Sequence, residues 1–226
     1  VQGYTPTRSG LLLMPAGFVL ALVFPVAGHL SDRLSPHIQI IAGLALFGLS
    51  CWLSGGVDAD TPFWTLAMLV MLGRIGLGTM LPALNAGALR ALPQDRLAQG
   101  SGSLNFVRQL GGAFGVNLLS VLIERRTAFH GDALAQALTP ANSAAAEALY
   151  RLGIIFSHWG NPFGNRLPAG IHPGSFEFLE RVLVPKAQML AYQDGFYAVA
   201  IVFFLAIVPA FLMRRGKAAL RVEEAR

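Results

Sequence analysis

The fold class the sequence predicts is an all-α membrane protein with five transmembrane helices, on three observations. Only 13% of the 226 residues are charged and 54% are hydrophobic, against about 25% and about 45–50% in soluble domains. The apolar residues fall into five runs, each near the roughly 20 residues that cross a bilayer. The charges gather in the links between those runs. Mean hydropathy is +0.55. The net charge of +5 raises the question of nucleic acid, but basic links between membrane spans account for it.

The first run, about 9–30, holds Pro15, Gly17, Pro25 and Gly28, which transmembrane helices tolerate. The hinge Gly28 to His37 follows, and the second run covers about 38–56. An acidic link with Asp58 and Asp60 leads to the third run, about 63–85. A link with Arg90, Asp95 and Arg96 precedes the fourth, about 101–123. A polar region, 124–188, separates it from the fifth, about 189–213, and 214–226 form a basic tail. Within the polar region, Ala133 to Leu138, Ala144 to Phe156 and Phe176 to Leu190 have helical composition, and 157–174 reads as irregular loop from its Gly, Pro and Asn. The chain starts at Val1 with a loop-like segment and is expected to be a fragment of a longer protein or a truncated product.

Alternation places Arg33, the pair Arg90 and Arg96, and the tail on one side. The positive-inside rule makes that side cytoplasmic and puts 124–188 outside. Arg125 and Arg126 disagree, but they belong to a loop long enough for the rule to lose force.

Chemistry-bearing residues are few. Cys51 is alone, in an apolar run, so the chain has no internal disulfide. His130, His158 and His172 with Asp132, Glu177 and Glu180 match no metal-ligand spacing, so no metal site is expected. No phosphate-binding loop occurs, and no cofactor is expected. In the hinge, Asp32 and Arg33 either hold a gate or only fix topology. Arg74 lies near the middle of the third run, where a charge costs about 2.5–3.5 kcal/mol. It should face a cavity or a buried partner, and the flanking Gly73, Gly76 and Gly78 permit close helix packing. In the fourth run Asn105, Arg108 and Gln109 share one helix face at i, i+3 and i+4. That face is too polar for lipid and reads as cavity or helix interface. Gly111 and Gly115 form a tight-packing pair. Asn85 and Asn117 are weaker cavity candidates. Asp194 is either a proton carrier or, near the outer end of the last run, has a helix-cap or interface role.

Several strings carry a resemblance. Gly28, Asp32 and Arg33 match the Gly-x-x-x-Asp-Arg loop motif of major facilitator transporters, with Ser35, Pro36 and His37 departing from its Gly and basic positions. Gly3-Tyr4-Thr5-Pro6, Gly10 to Pro15, Arg74 to Gly78 with Leu81-Pro82-Ala83, Asn105 to Gly112 and Arg125 to His130 resemble the C-terminal part of the fourteen-helix drug:proton antiporters of that superfamily, the EmrB/QacA-like group. The resemblance covers almost the whole chain. It implies a major facilitator C-terminal bundle lacking its first helix, with nine preceding helices absent. It implies multidrug efflux of small amphipathic substrates by alternating access in a bacterial inner membrane, driven by the proton gradient. It also implies as partners the missing N-terminal helices, the lipid bilayer and a periplasmic adaptor. Arg74 and Arg108 would favour anionic or zwitterionic substrates. The competing readings are a transport-inactive truncated product and a membrane-anchored enzyme with its site in the outer loop.

Overall fold

A computed structural model describes residues 5–90, 92–137 and 173–223, apart from the side chains of Arg8, Asp32, Gln94, Ala137, 173–182 and 213–223. Among the described residues there are five α-helices and no strand: α1 Pro6–Arg33, α2 Pro36–Ser54, α3 Phe63–Leu89, α4 Leu97–Ala137 and α5 Pro173–Glu223. A 3-10 turn, Gln94–Arg96, leads into α4. All five helices are long and apolar enough to cross a membrane. A helix closes all the backbone hydrogen bonds of a span within itself, which is why such runs take this form in lipid.

The helices overrun the apolar stretches, and this corrects several expected boundaries. The hinge is not a ten-residue loop. α1 continues through Arg33, only Leu34 and Ser35 connect, and Pro36 opens α2 at its first turn, where a missing N–H costs nothing. Helix α4 passes Ile123 and runs on through the charged Glu124-Arg125-Arg126 to Ala137. At 1.5 Å per residue its 41 residues span about 60 Å, twice a hydrocarbon core. The helix expected over Phe176 to Leu190 runs on into the fifth span as one helix, α5, which begins at Pro173, so Pro173 and Gly174 are helical rather than loop. The expected tail is likewise helical as far as Glu223. The expected helix Ala144 to Phe156, most of the loop 157–174, and Leu138 lie outside the described residues.

The chain forms two compact units, 2–119 with 193–226, and 120–192. In the second, Ala187, Met189 and Ala191 are buried. The first holds the core of α2, α3 and α5: Ile40, Leu44, Met80, Ala83 and Ala210, with Leu77, Phe203 and Ile207 against them. Helices α2 and α3 cross at Gly43 and Gly76. A Cβ on Gly76 would lie 2.6 Å from the Phe47 backbone nitrogen, and one on Gly43 would lie 2.7 Å from the Gly76 carbonyl oxygen. The Ser50 hydroxyl donates to the Leu69 carbonyl at 2.7 Å across the same interface, and Gly73 is packed against that hydroxyl. Gly78 faces α1 instead, against Val23 and Leu20. At the far end of α2, the Tyr197 ring covers Gly55 and stacks edge-on with Trp52 at 5.1 Å. Gln193 donates to the Val57 carbonyl at 2.6 Å.

Candidate functional site: a polar groove on α4

Arg74 and Asn85 are eleven residues apart on α3. At 3.6 residues per turn they fall on one stripe, about 16 Å apart along the axis. Arg74 is half-buried, and its guanidinium has no hydrogen bond or ion pair among the described residues. Helix α4 brings a second polar stripe. Asn105, Arg108, Gln109, Gly112, Val116 and Asn117 line an open groove of about 650 Å³, within the size range of small-molecule sites. The other side of the helix is apolar, with Val107, Leu110, Phe114 and Leu118 exposed.

Arg108 joins the two helices. Its Nη2 donates to the Asn105 side-chain oxygen at 3.0 Å, one turn back on α4. The same nitrogen donates to the Asn85 side-chain oxygen at 3.4 Å on α3. Four of the residues singled out from sequence therefore meet in one place: Asn85, Asn105, Arg108 and Gln109. Arg74 lies on the same α3 stripe but is not in contact with them. The Asn117 amide donates to the Ala113 carbonyl on its own helix at 2.8 Å. Gly111 and Gly115 are exposed, and a Cβ on either would meet nothing within 4 Å. The tight packing expected of this pair is therefore not made among the described residues.

At the hinge the structure shows further polar contacts. A Cβ on Gly28 would also meet nothing within 4 Å, so Gly28 makes no close helix approach among the described residues. Arg33 is exposed, and the side chain of Asp32 lies outside the described residues. What ties α1 to α2 is Gln39, which is 2% exposed. Its amide donates to the Ala27 carbonyl at 2.7 Å and accepts from the Ser31 hydroxyl at 2.9 Å. Arg90, just past α3, donates to the Ser31 carbonyl at 3.2 Å. That carbonyl is in the last turn of α1, where partners are otherwise lacking and a cation is favoured. Sequence reasoning missed Gln39 and Ser31. The available signal was two uncharged polar residues flanking a short link, one at the end of the first apolar run and one near the start of the second.

Gln39→Leu leaves Ser31 able to bond back to its own helix, and should cost about 1–2 kcal/mol. Gln39→Glu places a carboxylate beside the Ala27 carbonyl in a buried position and should cost more. Thermal unfolding in detergent checks the order wild type, leucine, glutamate.

Asp194 is half-buried and sits about six turns inside α5. The expected helix-cap role is thereby corrected: a cap must stand at a helix start, and this helix starts at Pro173. Among the described residues no group of three or more His, Cys, Asp or Glu is placed to hold a metal.

Long apolar helices packed through glycines, with a polar groove along one of them, define a multi-pass helical membrane protein. The family model described as Major Facilitator Superfamily matches residues 1–116, and the chain belongs to that superfamily. Among curated relatives, the colistin resistance protein EmrB of Acinetobacter baumannii is 24% identical over 221 residues, covering 96% of this chain and 41% of the relative. The multidrug resistance protein B homolog of Mycobacterium tuberculosis is 30% identical over 152 residues, covering 64% and 28%. The multidrug export protein EmrB of Escherichia coli is 24% identical over 151 residues, covering 66% and 29%. The chain thus spans well under half the length of these relatives. No solved structure gives a significant match.

Proposed function

We propose that the chain forms part of a secondary exporter of drugs or amphipathic metabolites, driven by the proton gradient and working by alternating access. The observation that carries this reading is the polar face of α4, too polar for lipid, where Arg108 beside an open groove is hydrogen-bonded to Asn105 and to Asn85 on α3. Relatives named for multidrug export and resistance support it. The membrane is a bacterial inner membrane. The hinge, the link with Arg90 and Arg96, and the C-terminal end face the cytoplasm, because basic residues gather on that side.

Asp194 is the single carboxylate of the span Leu183–Leu212. It is the residue of this chain best placed to carry the coupled proton, since carboxylates inside membranes commonly mark proton paths. The test is dye efflux from cells expressing the gene product that contains this chain, with and without a protonophore. Efflux should depend on the gene product and stop when the proton gradient is collapsed. Asp194→Asn should leave dye binding in place while export loses its dependence on the gradient. Efflux that persists without a gradient would rule out the proton-driven reading.

A further inference from the structure

We propose that Arg108 is the docking point for the acidic group of an anionic or zwitterionic substrate, which takes over the guanidinium from the Asn85 amide. This rests on the exporter reading and deepens it to a substrate class.

The argument begins with what Arg108 is given. A guanidinium has five N–H donors in a fixed fork. Both of its hydrogen bonds here leave from Nη2, to the neutral amide oxygens of Asn105 at 3.0 Å and Asn85 at 3.4 Å. The donors on Nη1 and Nε have no acceptor among the described residues. A carboxylate engages a guanidinium with two parallel bonds through Nη2 paired with either Nη1 or Nε, so it brings in a free donor and competes for the nitrogen that now holds the two asparagines. The charge also has no ion pair among the described residues. The sequence holds no Asp or Glu from Pro36 to Val57, from Phe63 to Leu89, or from Leu97 to Ile123. A cation held only by amides, beside an open groove of about 650 Å³, is complementary to a small organic anion. Arg108 is exposed along that groove, so an incoming anion can reach it.

Asn85 gives the site its second property. Its bond to Arg108 is long for a hydrogen bond and bridges α3 to α4. An ionised carboxylate is a stronger acceptor than a neutral amide. A ligand that draws Nη2 towards itself therefore breaks the α3–α4 bridge. Asn105 keeps the guanidinium on its own helix through the exchange, and Gln109, on the same face, offers an amide to the rest of the ligand.

The experiment uses two xanthene dyes of similar shape and opposite charge, fluorescein and rhodamine 6G. They compete for export by proteoliposomes holding the complete gene product that contains this chain. Wild type should prefer fluorescein. Arg108→Gln should lower the fluorescein-to-rhodamine ratio at least tenfold. Asn85→Asp, which supplies an internal carboxylate to the same guanidinium, should lower it as well. Antibody quantification of reconstituted protein normalises for folding, and the ratio is independent of protein amount. A wild type that prefers rhodamine 6G, or an unchanged ratio in Arg108→Gln, overturns the anion site while leaving export intact. Export of neither dye counts against the exporter reading itself.

Discussion

Gly76→Leu is expected to lower the melting temperature in detergent by about 6 °C or more, and to reduce the amount of folded protein in the membrane. The reason lies in which atoms stand in the way. A Cβ at this position meets the Phe47 backbone nitrogen at 2.6 Å and the Gly43 carbonyl oxygen at 2.9 Å. Backbone atoms of a packed helix cannot rotate aside, so α2 and α3 must separate. Separation also loosens the Ser50–Leu69 bond and the contacts of Met80 with Ile40 and Leu44. Overpacking a core costs about 1–3 kcal/mol, and near 3 kcal/mol at a helix crossing gives the stated shift at about 2–4 °C per kcal/mol. Gly87→Ala is the control, because its Cβ would meet only the Pro36 ring, with Cβ at 3.4 Å, and it should unfold as wild type does.

Arg74→Ala is expected to do the reverse, sparing the fold and removing at least nine-tenths of export. A tenfold loss corresponds to about 1.4 kcal/mol, modest for a charge acting in a substrate path. Arg74 is half-buried on α3 and forms no ion pair among the described residues, so little structure depends on it. Its presence in a membrane span is costly, at about 2.5–3.5 kcal/mol on insertion scales. Removing it should leave thermal stability equal or higher. Arg74→Lys, which keeps the charge but not the planar fork, should restore part of the activity. Unchanged efflux with an unchanged substrate range would remove Arg74 from the path.

The contrast between these two variants follows what the sequence could and could not reveal. Five apolar runs marked the helices because lipid leaves a span no other way to satisfy its backbone. Their ends were less legible. Glu124-Arg125-Arg126 looks like a break in hydropathy, yet a helix continues in water through residues with adequate propensity. Gly73, Gly76 and Gly78 were readable as packing positions, though only the structure shows that Gly78 serves α1 while the other two serve α2. On α4, the i, i+3, i+4 spacing of Asn105, Arg108 and Gln109 already gave the polar face. Asn85 could be joined to it only by the tertiary fold, because the contact bridges two helices. Gln39 was hard to single out, since one Gln in an apolar run carries no periodic signal. Its meaning comes from Ala27 and Ser31 across the two-residue link.

The central claim is that the Asn105–Arg108–Gln109 face of α4 lines a water-filled substrate path. It is tested most directly by cysteine labelling in membranes containing the complete gene product. Cys51 is buried and is first replaced by serine to clear the background. Gln109→Cys then places a thiol in the groove, and Leu118→Cys places one on the opposite, apolar side of α4, where the native leucine is 69% exposed. The account predicts that a polar maleimide labels position 109 and not 118, and that transported substrate slows labelling at 109. Labelling at 118 equal to that at 109, or a rate at 109 indifferent to substrate, would contradict it.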